Sequence, residues 1–207
     1  MRHRSVPAAR RRILVATGNA GKLREFRALL DDLGFEVLGL GDCGLAGAEE
    51  TGDSFVANAL LKAHHAAAAT GLAVIADDSG LEVDALGGAP GVHSARYAGD
   101  GATDAANNAK LAAALAGVPL ERRGARYRCA LVYLPAPAGT PPIVTEGVWE
   151  GMIAPQPRGG GGFGYDPFFF LPELQCTAAE LDPDLKNRIS HRGIAMRELR
   201  ERLARGP

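Results

Sequence analysis

The chain has 207 residues, of which 46% are hydrophobic and 23% charged, and its formal net charge is −1. This length and balance predict one domain, or one compact two-lobed unit, with a substantial core. They exclude the strong positive field that draws a protein to nucleic acid or to an anionic membrane. Three cysteines without a C-x-x-C pair argue against a disulfide framework or a zinc site and fit a reducing cytoplasm. No apolar run approaches the roughly 20 residues of a membrane helix.

The chain opens with a basic segment and then a strand-turn-helix pattern. Residues 1–12 carry five arginines and are interpreted as a disordered tail. Ile13-Leu14-Val15-Ala16 predicts a first strand, and apolar residues at helical spacing from Leu23 to Leu33 predict a helix. The turn between them is Thr17-Gly18-Asn19-Ala20-Gly21-Lys22. It is either an ordinary turn or an anion site made of free backbone N–H groups, without the serine or threonine of a Walker motif.

A second strand and a second helix come next. Residues 35–40 predict the strand, and the acidic turn Glu49-Glu50-Thr51-Gly52 precedes a helix that Asp53 or Ser54 can cap and Gly71 can end. Asn58 and Lys62 lie on one face of this helix, because they are four residues apart.

Two features of this helix have plain interpretations. Taken alone, Lys62 fits a solvated surface lysine. His64 and His65 have no partner ligand at metal-binding spacing and are interpreted as surface residues.

Two adjacent acids form the centre of the sequence. Leu72-Ala73-Val74-Ile75-Ala76 predicts a buried strand, which is followed at once by Asp77, Asp78 and Ser79-Gly80. Ligands of open α/β sheets bind beyond the carboxyl ends of strands, and two acids there need a cation or a donor cluster nearby. The alternative is an acidic turn whose side chains bond their own backbone.

The next segment predicts a helix and a hairpin. Thr103-Asp104 caps an alanine-rich helix that runs to Leu115. Residues 126–134 alternate as a strand, and residues 143–153 are predicted to be its antiparallel partner. With the earlier elements, this order predicts a mixed sheet with helices on both sides.

A glycine-rich loop with two aromatics follows, Gly159-Gly160-Gly161-Gly162-Phe163-Gly164-Tyr165-Asp166-Pro167. The aromatic faces can stack on a base, and Asp166 can accept a hydrogen bond from a ring N–H or a sugar hydroxyl. A flexible loop with two core aromatics is the alternative. Residues 168–171 then predict a buried strand.

The last segment places basic side chains at a helix start. Thr177 to Glu180 forms a capping-box pattern, and Ser190 is predicted to cap the final helix. Lys186 lies in the turn before it. His191 and Arg192 would put two cations at the positive end of a helix, which indicates an anion nearby, although solvated basic side chains are the alternative.

These features together fit one ligand. Dispersed cations at turns and helix starts suit phosphates, and Glu50 and Asp78 can hold Mg²⁺, which prefers one or two carboxylates plus phosphate oxygens and waters. With the aromatics of the glycine-rich loop, the pattern indicates a nucleoside triphosphate site with a metal.

The motif set resembles that of the inosine/xanthosine triphosphate pyrophosphatases, which hydrolyse non-standard purine nucleoside triphosphates. The similarity covers about residues 13 to 204, and the arginine-rich extension before Ile13 departs from it. The segments that carry the resemblance are Thr17-Gly18-Asn19-Ala20-Gly21-Lys22, Glu49-Glu50-Thr51-Gly52, Ala76-Asp77-Asp78-Ser79-Gly80, Gly87-Gly88-Ala89-Pro90-Gly91, Ser94-Ala95-Arg96-Tyr97, Gly161-Gly162-Phe163-Gly164-Tyr165-Asp166-Pro167 and Ser190-His191-Arg192-Gly193.

The resemblance implies a mixed α/β fold, with an elongated central sheet flanked by helices and an active-site cleft between two lobes. It implies one two-lobed domain over residues 13–207 that forms a homodimer. The composition adds the expectation of a cytoplasmic protein without membrane or stable nucleic-acid partners. The implied reaction is a Mg²⁺-dependent attack of water on the α-phosphorus of ITP, dITP or XTP, which gives the monophosphate and pyrophosphate.

Residue roles follow from the same motifs. Glu50 and Asp78 would hold Mg²⁺, and Asp78 would also accept the proton of the attacking water. Lys62 and Asn58 are added from their helix positions as phosphate and metal-shell supports. The residues assigned to the substrate are Thr17, Gly18, Asn19, Ala20, Gly21, Lys22, Ser79, Phe163, Gly164, Tyr165, Asp166, Lys186, His191 and Arg192.

Two other functions stay open. One is a related pyrophosphatase for pyrimidine or modified nucleotides, and the other is a nucleotide-binding module without turnover. The Phe163-Gly164-Tyr165-Asp166 and Ser190-His191-Arg192 motifs argue against the first, and the intact acids argue against the second. Base choice is expected to rest on the 6-oxo group, which adenine lacks. The sequence does not identify the residue that excludes guanine.

Overall fold

Seven strands form one sheet in the order β2-β1-β3-β4-β5-β6-β7. The computed structural model describes residues 11–136 and 140–205. The strands are β1 (Arg11–Val15), β2 (Phe35–Gly39), β3 (Ala73–Val83), β4 (Gly124–Leu134), β5 (Ile143–Ile153), β6 (Phe169–Leu171) and β7 (Cys176–Thr177). The helices are α1 (Ala20–Leu30), α2 (Phe55–Thr70), α3 (Asp104–Ala114), α4 (Pro183–Ile189) and α5 (His191–Arg205). In these ranges, no helix combines the length and the apolar character needed to cross a membrane.

The sheet is mixed, as predicted. β1 pairs in parallel with β2 and β3, and α1 and α2 make the crossovers that parallel pairing requires. All later pairings are antiparallel, beginning with β3 on β4 and the predicted β4–β5 hairpin. β1 begins two residues earlier than predicted, so Arg11 and Arg12 belong to the strand, whereas residues 1–10 of the predicted tail lie outside the described residues.

Helix ends follow the local sequence signals. The Asn19 side chain accepts from Lys22 N at the start of α1, and Ser54, rather than Asp53, caps α2 by accepting from Ala57 N. Gly71 ends α2 in the left-handed conformation (φ 67°). The capping box at Thr177 is confirmed, although it opens a short 3-10 helix, Ala178–Glu180.

The prediction that the two central acids follow the end of a strand is wrong. β3 continues to Val83, so Asp77 and Asp78 lie in its middle, opposite Leu131 and Ala130 of β4. They do not form a turn, because antiparallel pairing with β4 keeps the backbone extended. Successive side chains of a strand point to opposite faces, so the two carboxylates lie on opposite sides of the sheet.

Three apolar clusters fill the two faces of the sheet. α2 packs on the face that carries Val74 and Ala76, and α1 and α5 pack on the face that carries Ile75. The far half of β3 and β4 packs against α3, β6 and the glycine-rich loop in a third cluster. The acids of β3 lie where these clusters meet, and this junction contains the candidate site.

Candidate active site

Two neighbouring cavities lie at this junction. The aromatic cavity, of about 250 Å³, and the carboxylate cavity, of about 240 Å³, share Asn19, Lys22 and Ala95 in their walls. The predicted residues that line the aromatic cavity also include Ser79, Phe163, Gly164, Tyr165, Asp166, Lys186, His191 and Arg192. Those that line the carboxylate cavity also include Thr17, Gly18, Glu50 and Lys62. The two cavities are therefore adjacent, with the three shared residues between them.

The start of α1 forms the shared wall. Thr17 Oγ1 accepts from Asn19 N (3.2 Å), and Asn19 Oδ1 accepts from Lys22 N (3.0 Å). This local bonding fixes the turn, while the first N–H groups of a helix, here at Ala20 and Gly21, have no intrahelical partner. The predicted turn therefore presents the positive end of a helix dipole beside the Lys22 ammonium.

Gly21 permits close contact between α1 and the glycine-rich loop. A Cβ at this position would lie 2.5 Å from the Phe163 ring, so a larger residue would displace that ring. The ring also lies under two cations, with Lys186 Nζ 4.8 Å and Arg192 Cζ 5.3 Å from its centre. Phe163 is half-buried and lines the aromatic cavity, whereas Tyr165 is buried in the third cluster and donates its hydroxyl to Ser94 O (2.7 Å).

Lys62 organises the carboxylate cavity and is not a solvated lysine. Its Nζ lies 2.7 Å from Glu50 Oε1 and 2.8 Å from Asp78 Oδ1, and it donates to the carbonyl of Asp77 (3.1 Å). Asn58 on the same helix face donates to the other oxygen of Asp78 (3.2 Å). Asp78 lines neither cavity and lies behind Lys62.

The pKa values of the two acids differ in direction. Burial raises the pKa of Asp78, and neighbouring Glu50 adds to the rise, although Lys62 opposes it. Burial also acts to raise the pKa of Glu50, but Lys62, Lys22 and Arg96 outweigh it and lower that pKa. Asp78 is therefore the better proton acceptor of the pair.

Glu50, which lines this cavity, and Asp78, which lies behind Lys62, form a donor pair that fits a magnesium ion that also takes ligands from a substrate. Glu50 and Asp78 point at one position, now held by the Lys62 ammonium, which shows that their oxygens converge on a cation. The described residues contain no group of three or more His, Cys, Asp or Glu side chains that could hold a metal ion. One or two carboxylates with phosphate oxygens and waters is the usual donor set for Mg²⁺.

Asp77 starts a chain of buried ion pairs on the other sheet face. It lies 2.9 Å from Lys22 Nζ and 3.3 Å from Arg192 Nε. Arg192 also bonds Ser79 Oγ (2.9 Å) and Glu25 (2.6 Å). Glu25 in turn contacts Lys186 (2.9 Å). These ion pairs thus link Lys22, which lies between the two cavities, to the far wall of the aromatic cavity.

Acids and bases alternate in this series of ion pairs, and their attraction outweighs the cost of burying the charges. Burial acts to raise the pKa of Asp77, but Lys22 and Arg192 lower it well below its usual range. Glu25 behaves likewise, because Arg192 and Lys186 lower its pKa. The anions expected near the start of α5 are these two carboxylates of the protein itself.

Asp166 connects this series of ion pairs to the glycine-rich loop. Its Oδ2 accepts from Lys186 Nζ (2.6 Å) and from Phe163 N (2.9 Å), and its Oδ1 accepts from the Tyr127 hydroxyl (3.3 Å). Asp166 therefore holds the loop and positions Lys186, in addition to any contact with a ligand.

His191 is not the cation that its position at a helix start suggested. Burial, Arg192 and Lys186 place its pKa well below 6.5, so the imidazole is neutral. It stacks on Tyr127, with ring centroids 4.7 Å apart. Neither ring nitrogen has a hydrogen-bond partner among the described residues, and the ring lines the aromatic cavity. Unpaired buried polar atoms are costly, so they mark a place where a ligand can complete the bonding.

The neutral imidazole should make stability pH-dependent. Below pH 6.5 the unfolded chain binds a proton at His191 that the folded protein does not, so the free energy of unfolding falls as pH falls, by up to about 1.4 kcal/mol per pH unit. We expect His191→Phe to reduce this slope in urea titrations between pH 7 and 5.5. An equal slope in His191→Phe would contradict a neutral His191.

Several residues at the site were not predicted from the sequence, among them Glu25, Arg96 and His65. Glu25 holds Arg192 and Lys186, and Arg96 Nη1 lies 3.5 Å from Glu50 Oε2 although its Ser94-Ala95-Arg96-Tyr97 motif had no assigned role. His65 is exposed, as predicted, but it lines the carboxylate cavity with Nε2 3.2 Å from Ala46 O. The i, i+3 spacing of Lys62 and His65 is the signal that could have indicated His65.

Lys22 is the cation shared by both cavities, and its removal should weaken binding of a polyphosphate. We expect Lys22→Ala to raise the KM of a nucleoside triphosphate about 10- to 100-fold, the value of a charge-assisted hydrogen bond. Arg24→Ala, which removes an exposed cation two residues further along α1, is the matched control. A normal KM in Lys22→Ala would contradict the claim that the turn at the start of α1 binds phosphate.

The fold and the site define an α/β protein whose divided cleft sets carboxylates and cations beside an aromatic wall. A family model described as the Ham1 family matches residues 13–202, and the chain belongs to this family. A protein of Methylococcus capsulatus named dITP/XTP pyrophosphatase is 56% identical over 194 residues, which cover 94% of this chain and 96% of the relative. A Thioalkalivibrio sulfidiphilus protein of the same name is 57% identical over 192 residues, covering 93% of this chain and 98% of the relative.

Solved structures give the same result for the fold. A Ham1 protein from Coxiella burnetii superposes with a TM-score of 0.84 at 46% identity, over 95% of this chain and 100% of that one. The Staphylococcus aureus Ham1 protein gives 0.82 at 39% identity, with the same coverage. The predicted α/β fold and family are thus confirmed.

Proposed function

We propose that this protein is a nucleoside triphosphate pyrophosphatase that hydrolyses ITP, dITP and XTP to the monophosphate and pyrophosphate. The observation that carries the proposal is the shared wall of the two cavities. It lets one extended ligand place a purine against Phe163 and its phosphates beside Lys22 and Lys62. The names of the relatives, dITP/XTP pyrophosphatase, support the same substrate class.

The triphosphate binds along the start of α1. The N–H groups of the first helical turn and Lys22 contact phosphate oxygens, and Lys62 provides a second ammonium in the carboxylate cavity. The helix N–H groups and Lys22 are fixed before the substrate arrives, so they stabilise the charge that develops on the leaving pyrophosphate without reorganising.

Glu50 and Asp78 would hold Mg²⁺. When bound, this ion supplies charge neutralisation for the phosphates and acidifies a coordinated water. The carboxylate of Asp78 accepts the proton from the water that attacks the α-phosphorus, and its raised pKa suits that role. Asn58 holds one oxygen of Asp78 in place, and the other oxygen, which contacts Lys62 in the structure, faces the cation position that it shares with Glu50.

Base choice rests on the donors of the aromatic cavity. Lys186, Arg192 and His191 line the cavity beside Phe163, and the two ring nitrogens of His191 have no partner among the described residues. A donor directed at the 6-oxo group of hypoxanthine or xanthine faces the 6-amino group in adenine, and a polar mismatch of this kind can reject a substrate by about 10⁴–10⁵.

A substrate panel tests the proposal. We expect Mg²⁺-dependent release of pyrophosphate, rather than phosphate, from the triphosphates of inosine, deoxyinosine and xanthosine and little release from those of adenosine, guanosine and thymidine. Release from pyrimidine triphosphates instead would place the protein with the pyrimidine-specific enzymes. Binding without release would make it a nucleotide-binding module.

We further propose that the enzyme acts as a cytoplasmic homodimer. Within the described part of the chain, Cys43, Cys129 and Cys176 are all free thiols, which fits a reducing compartment.

The outer face of β3 to β5 alternates acids and bases, with Arg128 3.3 Å from Glu146 and Val148 39% exposed. A face of mixed charge can match its own copy about a two-fold axis. A monomer mass in light scattering at micromolar concentration would exclude the dimer.

A further inference from the structure

Gly164 lies at the centre of the aromatic pair in the glycine-rich loop. Its φ is 61°, in the left-handed region that favours glycine. Its neighbours are anchored separately, since Phe163 N donates to Asp166 and the Tyr165 hydroxyl donates to Ser94 O. The backbone at Gly164 is therefore the joint that sets the angle between the half-buried Phe163 ring and the buried Tyr165 ring.

Helix α3 holds both polar groups of this joint. Gly164 N donates to Asp104 Oδ2 (2.6 Å), and Asn108 Nδ2 donates to Gly164 O (2.8 Å). Asp104 and Asn108 are four residues apart and so lie on one face of the helix. Two side chains of α3 thus form hydrogen bonds with the backbone of Gly164, which lies about 60 positions further along the sequence.

The same helix is tied to the opposite wall of the aromatic cavity. Asn107 accepts from Ala98 N (2.8 Å) and donates to Ala95 O (3.1 Å), in the segment that follows β3. Asp104 and Asn107 both line the cavity, so the first two turns of α3 bridge its two walls. Helix α3 therefore connects Gly164 to Ala95 across the cavity.

We propose that Asp104 and Asn108 are positioning residues for base recognition, because their grip on Gly164 holds the Phe163 ring in the plane on which the purine stacks. The proposal rests on the proposed pyrophosphatase function. Without the grip, the ring can turn about the joint, and the base loses a fixed partner while the phosphate contacts of Lys22 and Lys62 are unchanged. The pair therefore acts on the binding of the nucleoside part of the substrate rather than on the chemical step.

Steady-state kinetics with inosine triphosphate test the pair in the full-length enzyme with Mg²⁺. We expect Asp104→Ala to raise KM about tenfold, the value of one hydrogen bond to a charged group, with kcat within about twofold of wild type. Asn108→Ala should raise KM severalfold in the same way. Asp104→Asn should restore a KM near wild type, since an amide oxygen can still accept from Gly164 N.

Two controls separate positioning from general loosening. Asp100→Ala removes an exposed carboxylate close to the start of the same helix and should leave KM unchanged. The inhibition constant of added pyrophosphate, which occupies the phosphate side alone, should be equal in wild type, Asp104→Ala and Asn108→Ala. A KM in Asp104→Ala equal to that of Asp100→Ala, or a parallel rise in the pyrophosphate constant, would overturn the proposal. A wild type that releases no pyrophosphate would instead refute the proposed function.

Discussion

Asp78→Asn is expected to lower the turnover number about 10²- to 10⁴-fold, the usual contribution of a positioned proton acceptor. The substitution keeps the shape of the side chain and removes its ability to take a proton. Nucleotide affinity should largely survive, because the phosphate contacts of Lys22 and Lys62 do not depend on proton transfer at position 78. Turnover is measured as pyrophosphate release, and affinity as inosine triphosphate binding by calorimetry in a Ca²⁺ buffer that slows turnover.

Asp84→Asn is the matched control for this change. Asp84 directly follows the same strand, is exposed and bonds Arg126 on the surface at 2.9 Å. Asp84→Asn changes the net charge by the same amount as Asp78→Asn. It should leave the turnover number within about twofold of wild type, as expected for a surface ion pair. Unchanged turnover in Asp78→Asn would remove Asp78 from the mechanism.

Arg192→Leu is expected to lower the free energy of unfolding by about 3–5 kcal/mol, the typical cost of breaking a buried ion pair from one side. Arg192 is 3% exposed and is held by Glu25 and Asp77. Its loss leaves two buried carboxylates with Lys22 and Lys186 as their remaining partners. Base recognition should fail as well, because the Phe163 ring loses one of its two cations.

Urea denaturation measures the effect, with an unchanged m-value as the sign that the unfolded state is the same. Arg200→Leu is the control on the same helix, since Arg200 is 39% exposed and pairs with Asp32 at the surface. It should cost at most about 1 kcal/mol. Equal losses in the two variants would contradict the claim that the chain of buried ion pairs stabilises the site.

Features set by neighbouring residues could be predicted from the sequence. The turn at Asn19, the cap at Ser54, the stop at Gly71 and the β4–β5 hairpin all follow short-range signals. The mixed sheet also followed, because strand-helix-strand segments require parallel pairing and a hairpin requires antiparallel pairing. The site residues came from motifs, and the structure places most of them in two adjoining cavities.

Features set by long-range pairing could not be predicted. The length of β3 depends on β4, some 50 positions away, so the opposite orientation of Asp77 and Asp78 was missed. Glu25 resembles any helix glutamate until α4 and α5 bring Lys186 and Arg192 against it. The charge of His191 was misjudged for the same reason, because its burial by Tyr127 and Trp149 is a tertiary property.

Hydrolysis of inosine triphosphate in ¹⁸O-labelled water tests the central claim most directly, namely that water activated beside Asp78 attacks the α-phosphorus. The account predicts one labelled oxygen in the inosine monophosphate and none in the pyrophosphate, as read by mass spectrometry of both products. Label in the pyrophosphate would mean attack at the β-phosphorus. That result would contradict the role of Asp78 as proton acceptor for the water that attacks the α-phosphorus.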